Sequence, residues 1–434
     1  MTPQSSFMIV APLVAGQAQP LRDLLATMNS RPGTADPENA VIPFRRFTRL
    51  HVARLFVLEE LAPDDMRDAY GVPGPVWPPS LAFLGDCDGP AEQLLAEFVA
   101  QAEPGLRKIF SFCQGFGAGT DLMAWMRAHE TPPAALYANW QGRTVRQIRE
   151  EDALRNALVG YLAANRDSVV DAEPAAVRAR LLTFVGQQRD KGNLTLTEPE
   201  PTPPEWQRND LLHAIGVPIL LLLLFPFLLL YLPIFAWRLR SREETDAELV
   251  QRPTAEHLRR LAELEDHDVT NQFSAFGSVK PGLFRLATVT FLLWLLDYAA
   301  RHIFNRGYLT RVATIHFARW VFLDGRKRIL FCSNYDGSLE SYMDDFINKV
   351  AWGLNLVFSN GVGYPKSRWL VIGGAKDEQK FKHYIRRHEL PTEVWYKAYP
   401  GLTTADLARN ARIREGLERS DMSDAEVRDW LRLF

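Results

Sequence analysis

The chain has 434 residues with 50 basic and 52 acidic side chains, a net charge of -2. It therefore lacks the broad positive footprint that nucleic-acid phosphates demand, and DNA or RNA partners are not expected. Cys87, Cys113 and Cys332 are three in number with no metal-ligand spacing, which predicts reduced thiols in a cytoplasmic compartment and no metal site.

In chain order, residues 7–14 read as a strand, 20–28 as a helix, 51–59 and 81–85 as strands, 91–112 as a helix, 122–129 as a shorter helix and 135–140 as a closing strand. Residues 144–162 read as an exposed helix. The stretch Thr197-Glu198-Pro199-Glu200-Pro201-Thr202-Pro203-Pro204-Glu205 is a proline-rich linker. It leads into residues 215–237, which hold no charged side chain. That length matches a bilayer-crossing helix. Trp206 and Trp237 flank the segment as interfacial anchors, and Arg238, Arg240 and Arg242 follow it, which assigns that end to the cytoplasmic side. No basic and apolar leader of the secretory type opens the sequence, so export of the first half is not expected. Pro218, Pro226 and Pro233 interrupt the run. Pro226 near its centre suggests a shallow hairpin that enters and leaves one leaflet, and a kinked single span is the alternative.

Beyond a charged connector, the order of elements recurs. Residues 271–279 read as a strand, 286–304 as a helix, 314–323 and 328–332 as strands, 338–357 as a helix, 369–372 as an additional strand, 378–388 as a helix and 393–399 as a closing strand. Residues 403–433 read as exposed helices. The apolar run at 286–296 is too short to span a bilayer. It fits either an interfacial helix or a buried core helix.

The recurrence extends to residue identity. Leu50-His51-Val52-Ala53-Arg54 aligns with Ile315-His316-Phe317-Ala318-Arg319, and Gly85-Asp86-Cys87-Asp88-Gly89 with Ser333-Asn334-Tyr335-Asp336-Gly337. Arg127, His129, Glu130, Pro132, Tyr137 and Gly142 align with Arg386, His388, Glu389, Pro391, Tyr396 and Gly401. The blocks are colinear, with offsets of 265, 248 and 259 residues, the mark of an internal duplication. The expected organisation is a first repeat at 1–165, a helical and proline-rich linker at 166–210, a membrane segment at 211–240, a helical connector at 241–268, a second repeat at 269–402 and a helical tail at 403–434. The fold class is α+β, with two βαββαβ units of ferredoxin-like type on either side of the hydrophobic segment.

This tandem arrangement resembles the ferredoxin-like α+β barrel superfamily, which includes the dye-decolourising peroxidases. Gly85-Asp86-Cys87-Asp88-Gly89 is similar to their GxxDG signature, whereas the second repeat lacks the first glycine. The resemblance implies sheets paired around a pocket, haem as a possible cofactor, and Asp88 with Asp336 in peroxide activation. Independently of it, Asp-Gly after a strand forms a turn and can cap the next helix. His51 and His316 are candidate cofactor ligands, and Arg54 and Arg319 candidate anion partners. Strict alternation sets each histidine on the opposite face from its arginine, so only one of the two pairs is expected between the sheets.

No P-loop, HExxH or GxSxG pattern occurs. Two functional expectations follow. One is a membrane-anchored protein whose paired domains form a ligand-binding or partner-binding surface beside the bilayer; the other is a membrane-associated, haem-dependent oxidoreductase acting on an apolar or lipid-derived substrate. The expected partners are the lipid bilayer and a second copy or another membrane protein. The expected location is the inner, cytoplasmic membrane with both domains facing the cytoplasm.

Overall fold

The computed structural model describes residues 1–434 other than Pro75 and Arg306. It is a mixed α+β structure, 50% helical and 19% strand. The first half contributes β1 (Gln4–Pro12), β2 (Leu50–Leu58), β3 (Ser80–Asp88) and β4 (Ala135–Ala138). The second contributes β5 (Thr270–Ser278), β6 (Ile315–Leu323), β7 (Arg328–Asp336) and β8 (Val394–Lys397). They form two antiparallel sheets of corresponding order, β1-β3-β2-β8 and β5-β7-β6-β4.

The closing strands are thus exchanged. Strand β4 runs along β6, with Tyr137 opposite Ala318, and β8 runs along β2, with Tyr396 opposite Ala53. The expectation that each half closes a βαββαβ unit on itself is corrected by this pairing. Alternation sets which face of a strand is apolar but does not name the neighbour that completes its hydrogen bonds. The additional strand expected at 369–372 is also revised. Ser367–Arg368 and Ile372–Gly373 form a two-residue hairpin, and Trp369 and Leu370 lie at its tip with φ of 57° and 59°.

The sheets face one another through a core that includes Met8, Phe56 and Leu84 from one and Phe276, Val321 and Leu330 from the other. Helices α1 (Ala18–Ala26), α2 (Ala91–Phe110) and α3 (Leu122–Ala128) cover the outer face of the first sheet. Helices α4 (Val145–Ala164), α5 (Pro174–Asp190) and α6 (Pro204–Thr245) follow, and then α7 (Leu283–His302), α8 (Leu339–Phe358) and α9 (Glu378–His388) cover the second sheet. Every residue of β2 is buried, because one face meets helices and the other meets a sheet. That is why the strand reads as a nearly continuous apolar run. Helices α2 and α8 break at Ala102 and Val350, positions 248 residues apart.

The tail differs from expectation. Helices α10 (Thr404–Glu418) and α11 (Asp424–Leu431) pack with α4 and α5 around Leu154, Leu158, Leu181, Ile413, Leu417 and Trp430. Neither α4 nor α10 is the exposed appendage expected, and this four-helix cluster joins the ends of the two halves.

The turn expected at Pro226 is absent. Helix α6 is continuous over 42 residues with Pro218, Pro226 and Pro233 inside it, a length of about 63 Å. Each proline removes one backbone donor. Internal prolines of this kind are tolerated in apolar helices where the freed carbonyls find local compensation.

Candidate functional site

Both candidate pairs lie between the sheets. The ladder slips between Leu50 and Val52 and again between Ile315 and Phe317. Each histidine therefore sits in a bulge, which adds one residue to the alternation. The expectation that histidine and arginine occupy opposite faces is corrected by this single-residue shift.

Arg54 reaches across to the second sheet, where it donates to the carbonyl oxygens of Phe273 (2.8 Å) and Ser333 (2.9 Å), to Ser274 Oγ (2.9 Å) and to Asn334 Oδ1. Arg319 reaches the other way, to the carbonyl oxygens of Phe7 (2.9 Å) and Gly85 (3.1 Å) and to the carboxylate of Asp86. Phe7, Gly85 and Asp86 stand in the first sheet where Phe273, Ser333 and Asn334 stand in the second. The difference is chemical. Arg319 has a carboxylate partner, whereas Arg54 has an amide at the equivalent place. Burial lowers the Arg54 guanidinium to about 10, with Cys332 and Asp86 opposing the shift and Arg319 adding to it. The stacked Trp395 ring lies 5.2 Å from Arg54 and supplies further attraction for the cation.

The histidines are closed in the same manner. His51 Nε2 lies 2.9 Å from Asp88 Oδ1 and its Nδ1 lies 3.1 Å from the Tyr399 hydroxyl. His316 Nε2 lies 2.7 Å from Asp336 Oδ1. The second oxygen of Asp88 accepts from Val145 N at the start of α4 (2.9 Å), and that of Asp336 from Thr404 N and Oγ1 at the start of α10 (2.7 Å each). The two aspartates therefore hold the helix that follows the exchanged strand, not the helix next in sequence. Burial pushes the Asp336 carboxyl up, but His316 and the Thr404 donors outweigh it and hold the group below the ordinary carboxylate range. Carboxylates and arginines saturated in this way form a structural latch.

These residues do not fit a haem. Axial ligation requires an unengaged imidazole nitrogen facing an open slot, yet both nitrogens of His51 are engaged and the His51 and His316 side chains are 1% and 3% exposed. Phe317 packs on His51 with ring centroids 5.3 Å apart, and the Tyr399 ring lies 5.8 Å from His51 and 6.4 Å from His316. Among the described residues no group of three or more His, Cys, Asp or Glu side chains is arranged to hold a metal ion.

The open chemistry of the molecule is apolar and lies elsewhere. Helices α6 and α7 are both long and apolar enough to cross a membrane, with mean hydropathies of 2.7 and 1.5 over their most apolar windows. None of that window is buried in α6, and 28% is buried in α7. The two run antiparallel and meet at both ends. At one end Arg301 Nε pairs with Asp210 (2.6 Å) and covers Trp206, His213 meets His302 (2.8 Å), and the Tyr298 hydroxyl donates to the Ala214 carbonyl (3.1 Å). At the other, Phe235 packs on Phe284 with ring centroids 5.4 Å apart. Beyond it Glu243 accepts from Trp369 N (2.9 Å) and Leu370 N (2.8 Å). Asp246 closes this end by accepting from Lys280 Nζ (2.7 Å), the Tyr70 hydroxyl (3.1 Å) and Arg285.

Between the docked ends, residues 222–234 are exposed on every side, about 20 Å of helix. Trp206 belongs to the docking contact, so only Trp237 keeps the exposed position expected of an interfacial anchor. Sequence reasoning singled out neither Asp86, Asn334 and Tyr399 nor the Asp246 cluster. Asp86 and Asn334 were accessible to it, since they occupy one column of the repeat alignment opposite the arginines. No protein-family model, curated protein or solved structure matches the chain.

Proposed function

We propose that this protein is a membrane-attached binding protein, built from two duplicated ferredoxin-like repeats that sit together on one side of the bilayer and present a surface to it. The observation that carries this reading is α6: its apolar middle is uncovered, while both of its ends are fixed to the same globular body. A continuous helix held in this way meets a bilayer along its side, and apolar residues on all its faces favour submersion below the headgroups. Both halves then remain in one compartment. On this reading the exposed arginines at 238 and 242 contact anionic headgroups at the cytoplasmic surface of the inner membrane, while Arg240 is held by Glu243 (2.7 Å) and Glu244 (3.1 Å). Duplication is supported by the corresponding sheet orders, the matched arginines and the matched helix breaks.

Washing membranes at high salt and then at high pH tests the attachment. The protein is expected in the pellet, because burial of apolar surface is insensitive to both treatments. Protease accessibility in sealed vesicles tests the sidedness, with cleavage of both halves from the same face expected. Recovery in the soluble wash, or protection of one half alone, would overturn the reading.

A further inference from the structure

Helix α7 presents three faces. Val289, Leu293 and Ala300 enter the core against the second sheet, and Phe284, Tyr298 and His302 meet α6. The third face borders a cavity of about 230 Å³, where Leu292, Leu296 and Ala299 stand opposite Phe346, Trp352 and Gly353 of α8. The only hydroxyl among the lining side chains is that of Thr310, which donates to the Leu309 carbonyl (2.6 Å). Apart from that hydroxyl and the Trp320 and Trp352 indoles, the described lining side chains are hydrocarbon. One of those indoles is unsatisfied: Trp320 lines the cavity, and among the described residues its buried Nε1 has no hydrogen-bond partner. Apolar cavities stay dry and take up apolar guests, and a buried donor left without an acceptor is costly. A long hydrocarbon chain ending in an ester or carboxyl oxygen answers both conditions.

The mouth has a defined setting. It adjoins α7, the helix along which α6 lies, and Trp352 of its lining has 49% of its surface exposed. Aromatic side chains half in and half out of an apolar surface suit the interfacial layer of a bilayer. We infer that the cavity between α7 and α8 binds a long-chain acyl group drawn from the adjoining leaflet. This inference rests on the membrane-attached reading above and names its ligand class.

Gly353 provides the test. A Cβ built there meets nothing within 4 Å, so Gly353→Phe starts its side chain into open space at the cavity wall. The full chain is reconstituted in lipid nanodiscs and exposed to a diazirine-bearing fatty acid or, separately, to a diazirine-bearing phosphatidylcholine. Cross-links are then mapped by peptide mass spectrometry. Labelling of α7 and α8 is expected to be competed by unlabelled oleate and to fall about tenfold in Gly353→Phe, while labelling of α6 is unchanged. Labelling by the fatty acid alone identifies a free acyl chain as the ligand, and labelling by the phospholipid identifies an intact lipid. If α6 is labelled but α7 and α8 carry no label above that of Gly353→Phe, the cavity proposal falls and membrane attachment stands. An unlabelled α6 overturns the attachment itself. Should Gly353→Phe melt well below the parent chain, Gly353→Leu replaces it in the same comparison.

Discussion

Two guanidinium groups and the single carboxylate of Asp86 form the bridge between the sheets, so the two arginines differ in what their removal leaves behind. Replacing Arg319 by Met strands Asp86, which is 3% exposed, and uncompensated buried charges of this kind cost about 3–5 kcal/mol. Replacing Arg54 by Met removes a desolvated cation whose direct acceptors are carbonyl, hydroxyl and amide oxygens. The loss there is expected to be about 1–2 kcal/mol, the scale of ordinary hydrogen bonds. Urea denaturation of the two variants checks the ordering, and equal losses would show that Asp86 does not act as the counter-ion. Adding Asp86→Leu to Arg319→Met should recover most of the deficit. The importance of these positions was legible from the alignment of the two halves, because polar residues recurred within apolar strands. Their orientation was not, since a one-residue bulge reverses the face while leaving the sequence pattern unchanged.

The helices that join and anchor the halves carry their own tests. Glu151 of α4 is 2% exposed and faces Arg143 (3.2 Å) and Arg414 (3.9 Å). Burial nevertheless lifts its carboxyl to about 7, and the two arginines only partly counter it. The folded state therefore keeps this proton at a pH where the unfolded chain has released it. Stability from this group falls as pH rises from 4.5 to about 7 and is level above that, a total of about 3 kcal/mol. Glu151→Gln should flatten that portion of the melting-temperature profile and match or exceed the parent at pH 8. A profile as steep as the parent's would remove Glu151 as the cause.

Helix α6 calls for the opposite kind of substitution. Leu223, Phe227 and Leu230 are 67%, 70% and 76% exposed, so changing all three to Gln removes apolar surface without creating a core cavity. The protein should shift toward the soluble fraction while its unfolding midpoint moves little, within about 0.5 kcal/mol per site for surface positions. Unchanged sedimentation with membranes would show that attachment does not depend on the middle of α6. The apolar length of this segment could be read directly from composition. Its continuity through Pro226 could not, because proline is compatible with a kink, a break or a straight helix, and tertiary docking of the two ends decides among them.

At the level of the whole molecule, most strands and helices were legible because apolar periodicity records which face is buried, and the two halves showed the same pattern twice. The connection between them was hidden for the same reason. Strands β4 and β8 carry like residues at like positions, so either could complete either sheet, and nothing local distinguishes a closed repeat from an exchanged one. The exchange has a consequence for autonomy. Residues 1–200 alone would contain β1, β2 and β3 but lack β8, would expose β4 without its partner β6, and would leave Arg54 without its acceptors. Unpaired edges and a bared inter-sheet core promote aggregation. Expressed separately, residues 1–200 and residues 201–434 are each expected to be insoluble or to unfold without a cooperative transition. Expressed together, they should copurify and regain a single sharp melt, because strand exchange, the crossed arginines and the α4–α10 contact supply an interface that needs no covalent link. Size-exclusion chromatography with thermal denaturation distinguishes the cases. A first fragment that is monomeric and melts cooperatively on its own would mean that each sheet can close without its exchanged strand.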